Sequence, residues 1–268
     1  MYLSQMSWPQ CGKIDWTHVL AILPLGSTEQ HGRHLPCNTD TLLVTRIAEA
    51  LEARRSQHVL LLPTMWLGHS PHHLSFGATL SAGHNAYADM LVQIAGSLQE
   101  MGCGNLLLLN GHGGNRTPAT AALQEMKDRW PKLRAMLTDY WAPAAMDIQK
   151  IAEGGVTGMG HAGELETSLY MYLCPELVNQ SEILDAGQGN CPAGDAYQGY
   201  MLRGSPLAWV DNFSEITETG AFGKPTLASA QKGEHFFYCI VEAAQRLIDA
   251  VLKRMEGDTH EPASGVIG

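Results

Sequence analysis

The chain has 268 residues, 45% of them hydrophobic and 16% charged, which is enough for one large α/β domain with a well-buried core. Its formal net charge of -10, with no basic cluster, excludes a nucleic-acid partner met through phosphates. No apolar run approaches membrane-spanning length, and the first residues lack the basic-then-apolar order of a secretory signal. The six scattered cysteines form no C-x-x-C pair and read as reduced thiols, so a cytoplasmic protein is expected.

Short apolar runs alternate with longer amphipathic ones. Val19 to Leu25 reads as a buried strand ended by Gly26. Thr41 to Arg55 follows as a helix with Leu42, Leu43, Ile47, Ala50 and Leu51 on one face, capped by Thr39 or Asp40. His58 to Pro63 is the next strand and Ala86 to Met101 the next helix. Leu106 to Leu109 is a third buried strand, running into Asn110-Gly111-His112-Gly113-Gly114-Asn115. Thr117 to Trp130 reads as a helix that tolerates Pro118 in its first turn. Ala135 to Thr138 is a fourth strand, Glu164 to Leu173 a short helix stopped by Pro175, and Gln231 to Met255 a long helix followed by a frayed polar tail. The Gly, Pro and Asn content between Asp185 and Gly223 predicts long loops over a site or an interface. This rhythm predicts a mostly parallel sheet covered on both sides, with ligands bound at the carboxyl edge of the strands.

The residues with chemical potential lie at that edge. Glu29 and His31 flank Gln30, so in extended backbone their side chains point the same way, and Asp40 follows at the next helix start. Carboxylates and neutral imidazoles are the ligands of divalent Zn, Mn or Fe. His112 sits in a glycine bracket after a buried strand, where a tight turn around an ion needs glycine. An anion-binding loop is the rival for that bracket, but neither P-loop spacing nor G-x-G-x-x-G is present. His161, Glu164 and Glu166 add an imidazole and two carboxylates at another helix start, where the helix dipole alone explains one acid. His73, Thr79 and Trp141 are candidate pocket lining, although Met65, Trp66 and Trp141 also suit a core. Ser27 lacks the G-x-S-x-G elbow of a serine hydrolase, and nothing beside Cys37 would lower its pKa.

Together, Pro24-Leu25-Gly26-Ser27-Thr28-Glu29-Gln30-His31-Gly32 with Asp40, Leu109 to Asn115, and His161 to Ser168 resemble the creatininase (creatinine amidohydrolase) family. The resemblance implies a single domain over residues 1–268, a three-layer α/β/α sandwich commonly assembled as a hexamer, and a two-metal site. Glu29, His31, Asp40 and His112 match metal-ligand positions, with Asp40 bridging. Members named for creatinine carry a metal-binding glutamate where Gly114 stands here, so Glu164 is expected to supply the fifth ligand from another point in the chain. His161 and Glu166 match positions that handle protons, and the backbone N–H groups of Gly113 and Gly114 are placed to meet an oxyanion. The implied reaction is hydrolysis of a C–N bond in a small amide, cyclic amide or formamide, through a water activated by two divalent ions (Zn, Mn or Fe) about 3.5–4 Å apart. The tryptophan that closes over creatinine has no counterpart in Val156-Thr157-Gly158-Met159, which argues against creatinine itself. The family also holds a peptidase that trims a redox-cofactor precursor and a sugar-lactone-type hydrolase, which are the alternatives. A non-catalytic metal scaffold is disfavoured, because five ligands for two ions leave open coordination positions.

Overall fold

The computed structural model describes residues 1–185 and 210–258. Most of the expected loop region between Asp185 and Gly223, and the expected polar tail, lie outside the described residues. Four strands form one all-parallel sheet: β1 (Leu20–Leu25), β2 (Val59–Leu61), β3 (Asn105–Asn110) and β4 (Arg134–Asp139), in the order β2-β1-β3-β4. Every residue of β1 and β3 is buried. This is why those segments read as continuous apolar runs rather than alternating ones.

The pleat sends alternate side chains to two separate cores. Leu20, Ile22, Leu107 and Leu109 pack under α1 (Thr39–Arg54), α5 (Glu164–Leu173) and α6 (Ala230–Asp258). Ala21, Leu23, Leu25, Leu106 and Leu108 pack under α2 (His84–Glu100) and α3 (Arg116–Arg129) on the opposite face. The result is the expected three-layer α/β/α sandwich. A further helix, α4 (Ala145–Ile151), follows β4 and was not legible from periodicity.

Two local expectations change. α1 begins at Thr39, so Thr39 and Asp40 are its first residues rather than its cap; the Thr39 hydroxyl donates to the Pro36 carbonyl. Strand β2 stops at Leu61, although the Leu62 N–H still reaches the Ile22 carbonyl, and Pro63 has no N–H to continue the ladder. Trp66 is 54% exposed rather than a core residue, whereas Trp141 is buried.

Candidate metal centre

The strand order reverses between β1 and β3, and the site lies at the carboxyl ends of those two strands. Register places Leu25 beside Asn110 and Asn110 beside Asp139, so the loops leaving β1 and β3 start side by side. The first loop carries Glu29 and His31, and the second carries His112. Asp40 enters between them from the first turn of α1. A Cβ on Gly111 would lie 2.8 Å from Val44 Cβ and 3.0 Å from the Asp40 carbonyl oxygen, so only glycine lets β3 approach α1 this closely. Two asparagines lace the loops together. Asn110 Nδ2 donates to the His112 carbonyl (2.6 Å) and to Asp139 (2.8 Å). Asn115 Nδ2 donates to the Gly26 carbonyl (3.0 Å), while its oxygen accepts the His69 N–H (2.9 Å).

Two ligand triads share one carboxylate. Potential ligand atoms of Glu29, Asp40 and His112 lie within 4.8 Å of one another, and so do those of His31, Asp40 and Glu166. Asp40 turns one oxygen to each side: Oδ1 is 3.1 Å from His31 Nε2, and Oδ2 is 3.2 Å from His112 Nδ1. Both imidazoles are oriented by their outer nitrogens. His31 Nδ1 donates to the Glu29 carbonyl at 3.2 Å, and His112 Nε2 donates to the His69 carbonyl at 3.2 Å, with Ser70 Oγ 3.1 Å away. The inner nitrogens therefore face carboxylate oxygens, an arrangement that calls for a proton or a metal ion between them. Glu29 Oε1 and Asp40 Oδ2 are buried and make no hydrogen bond, although imidazole nitrogens stand 3.2 Å away.

The electrostatics carry the same demand. Glu29, Asp40 and Glu166 are all buried, and among the described residues the ion pairs they make are with histidines alone. Burial opposes a charged His31, yet the carboxylates of Asp40, Glu166 and Glu29 outweigh it and raise its pKa to about 9. His112 is raised for the same reasons, with Glu29 and Asp40 beside it. Burial would raise Asp40, but His31 and His112 hold it below the ordinary carboxylate range. Glu166 goes up to about 7, chiefly through burial. Three carboxylates buried without lysine or arginine are costly unless something positive joins them. Carboxylate oxygens with imidazole nitrogens are a donor set for Zn, Mn or Fe, so the residues fit two divalent ions.

Residues 4–248 match the family described as Creatininase (creatinine amidohydrolase). The chain belongs to the creatininase family. It is 30% identical over 255 residues to a 3-dehydro-scyllo-inosose hydrolase of Thermotoga maritima, covering 91% of this chain and 81% of that protein. It is 31% identical to a mycofactocin precursor peptide peptidase of Mycobacterium tuberculosis, covering 88% and 87%. A solved creatininase in its Mn form shares the fold, with a TM-score of 0.78 at 22% identity over 94% of this chain and 98% of that one.

One member of the expected site stands elsewhere in this creatininase-family chain. Glu164 does not reach the cluster. Its Oε1 accepts from the Glu153 N–H (3.0 Å) and Lys232 Nζ (2.7 Å), and its Oε2 accepts from the Gly154 N–H (2.7 Å). Residues two apart on a helix do not share a face, so only one of Glu164 and Glu166 can turn inward. Glu166 does: its Oε2 is 3.9 Å from His31 Nε2 and accepts the Ala162 N–H at 2.6 Å. Ala162 has φ of 52°, a strained value for a residue with a Cβ, and this conformation aims its N–H at Glu166. A side chain at Gly114 would collide with the His69 carbonyl oxygen and His112 Nε2, so no acid could reach the cluster from that position without moving both.

His73, His161, Gly113, Gly114 and Trp141 line a cavity of about 730 Å³ together with Asp40, His112 and Glu166. Thr79 does not line it; its hydroxyl accepts the Gln30 N–H at 3.2 Å and so braces the metal loop from outside. His161 Nε2 donates to the Gln30 carbonyl at 2.8 Å, leaving Nδ1 toward Glu29, 3.7 Å from Oε1. Burial first, and His31 next, lower the His161 pKa well below its ordinary value. Sequence reasoning missed Ser27, Ser70 and Phe213. Ser27 Oγ donates to Glu29 Oε2 (3.2 Å) and meets Ser70 Oγ at 2.6 Å, while the Phe213 ring covers His73 and His161 at centroid distances of 4.0 and 4.7 Å. Isolated serines and a phenylalanine beside a loop carry no sequence signal for such roles.

Proposed function

We propose that this chain is a two-metal hydrolase that cleaves a C–N bond of an amide-type substrate, with Glu29, Asp40 and His112 holding one ion and His31, Asp40 and Glu166 the other. The observation that carries this reading is Asp40, whose two oxygens face different imidazoles inside one buried cluster. Bound there, divalent ions supply an ionised water at neutral pH and a Lewis acid for the scissile carbonyl. The protein contributes the rest. Ser27 and the Ala162 N–H hold the carboxylates of Glu29 and Glu166 in place. His161, which lines the cavity and turns Nδ1 toward Glu29, is the group that takes a proton and delivers it to the leaving nitrogen. Glu166, expected to share that work, is assigned to the metal instead. Gly113 and Gly114 line the cavity, where their backbone N–H groups would meet a developing oxyanion, and Trp141 forms an apolar wall.

A cavity of about 730 Å³ exceeds what a small ring amide fills, which supports a second reading as a peptidase acting at a peptide end. Among the described residues no helix is long and apolar enough to cross a membrane, and the reading includes a cytoplasmic homo-oligomer, which light scattering tests. The deciding experiment is elemental analysis of zinc-loaded protein beside a hydrolysis screen of formamides, small cyclic amides, lactones and short peptides. Two ions per chain, falling to one in Glu166→Gln, are expected. Full occupancy in Glu166→Gln, or a folded wild-type chain that takes up no ion, would overturn the assignment.

A further inference from the structure

The side chain of Gln30 lies between the two metal-loop residues and is itself 6% exposed. It is not a ligand, yet each of its polar atoms is committed. Gln30 Oε1 accepts the Gly32 N–H at 2.9 Å, and Nε2 donates to the Gly220 carbonyl at 2.9 Å. Those two contacts fix which end of the amide is oxygen and which is nitrogen. One amide hydrogen remains; His73 Nδ1 lies 2.8 Å away and His161 Nε2 3.2 Å, and because His161 Nε2 spends its proton on the Gln30 carbonyl and has no lone pair to accept, the hydrogen goes to His73. A donor at Nδ1 requires a lone pair there, so the single ring proton of His73 sits on Nε2, which stands 3.2 Å from Glu29 Oε1. The backbone carbonyl of the same residue accepts from His161 Nε2 at 2.8 Å, so His161 carries its ring proton on Nε2 and keeps Nδ1 bare. One residue thus fixes the same tautomer on two rings that present different nitrogens to Glu29, Nε2 of His73 and Nδ1 of His161.

We infer that Gln30 is a positioning residue that holds His73 and His161 in one and the same tautomer, protonated on Nε2, so that His73 turns a ring N–H and His161 a bare ring nitrogen toward the side of Glu29. The rings are close enough to exchange roles otherwise: their centroids are 4.4 Å apart and neither is fixed by a carboxylate on its outer nitrogen. With His73 Nδ1 already accepting from Gln30, only His161 keeps a bare ring nitrogen, 3.7 Å from Glu29 Oε1, to take a substrate proton.

The inference builds on the two-metal reading for its consequence but not for its test, because ring tautomers are read directly. In zinc-loaded protein with ¹⁵N-labelled histidine, long-range ¹H–¹⁵N spectra distinguish a protonated ring nitrogen from a bare one. The two rings are identified by the signals lost in His73→Gln and His161→Gln. Wild-type protein is expected to show a protonated Nε2 and bare Nδ1 in both rings. In Gln30→Glu, which keeps the shape but has no amide hydrogen, the His73 proton is expected to move to Nδ1, where it donates to the new carboxylate. A wild-type spectrum with the His73 or His161 proton on Nδ1 would overturn the inference without any variant. So would a Gln30→Glu spectrum in which His73 is unchanged. Loss of zinc in an otherwise unshifted wild type would instead strike the metal assignment and leave the tautomers standing.

Discussion

Replacing Glu164 with glutamine separates its observed role from the one expected of it. The carboxylate accepts three charge-assisted bonds, from the N–H groups of Glu153 and Gly154 and from Lys232 Nζ, in a site where Glu164 is fully buried and the Lys232 side chain is 16% exposed. Glutamine keeps one acceptor oxygen and sets an NH₂ group against a donor on the other side. Breaking a buried ion pair costs about 3–5 kcal/mol. Lys232 keeps the Glu153 carboxylate and the Leu227 carbonyl, so roughly 2–3 kcal/mol is expected here. At about 2–4 °C per kcal/mol for a domain of this size, the melting temperature should fall by roughly 4–12 °C. Zinc content should not change, because the carboxylate faces α6 rather than the cluster. Thermal unfolding by circular dichroism and elemental analysis on the same sample decide the matter. A variant with half the zinc and an unaltered melting temperature would refute the reasoning and return Glu164 to the metal.

Three further outcomes are expected. Gly114→Ala should push on the His69 carbonyl and His112 and weaken zinc binding by about 10–100-fold, measured by competition with a chelating dye; unaltered affinity would mean the loop gives way freely. Chelation should lower the melting temperature, since free zinc at 100 times its dissociation constant contributes about 2.7 kcal/mol, and an unmoved transition would show that the buried carboxylates need no cation. The third concerns acid stability. Burial lowers the pKa of His34, whose Nε2 meets Thr167 Oγ1 at 2.8 Å, to about 4. Unfolded histidine titrates near ~6.5, so between these values the unfolded chain binds more protons. Stability should therefore fall as pH drops below ~6.5 and lose about 3 kcal/mol by pH ~4, at about 1.4 kcal/mol per pH unit. His34→Gln should flatten that slope, and equal slopes in urea titrations from pH 7 to 4 would contradict it.

Much of this architecture was legible because the parallel sheet is buried on both faces. Leu20 to Leu25 and Asn105 to Asn110 stand out as apolar runs, and the polar residues that follow them fall at the carboxyl edge. Glu29, His31, Asp40 and His112 could be named from motif and chemistry. The choice between Glu164 and Glu166 could not, since both occupy the first turn of α5 and only the docking of that helix against α6 decides which one faces inward. Thr79 failed for a related reason: a hydroxyl near the pocket in sequence turned out to hold the Gln30 backbone from behind. The helix over Ala145 to Ile151 was missed because a seven-residue segment gives too few turns for periodicity to register.

The donors gathered around Asp40 come from separate stretches of chain, beginning at Glu29 and ending at Glu166. Neither triad can close until β1 has paired with β3, and the second must also await α5. A polypeptide emerging from the ribosome would thus lack one donor of the first triad until His112 had been made in the chain of 268 residues, and one of the second until Glu166. Cation capture therefore follows strand pairing in the birth of this molecule, and it acts as a seal on that pairing rather than a nucleus for it.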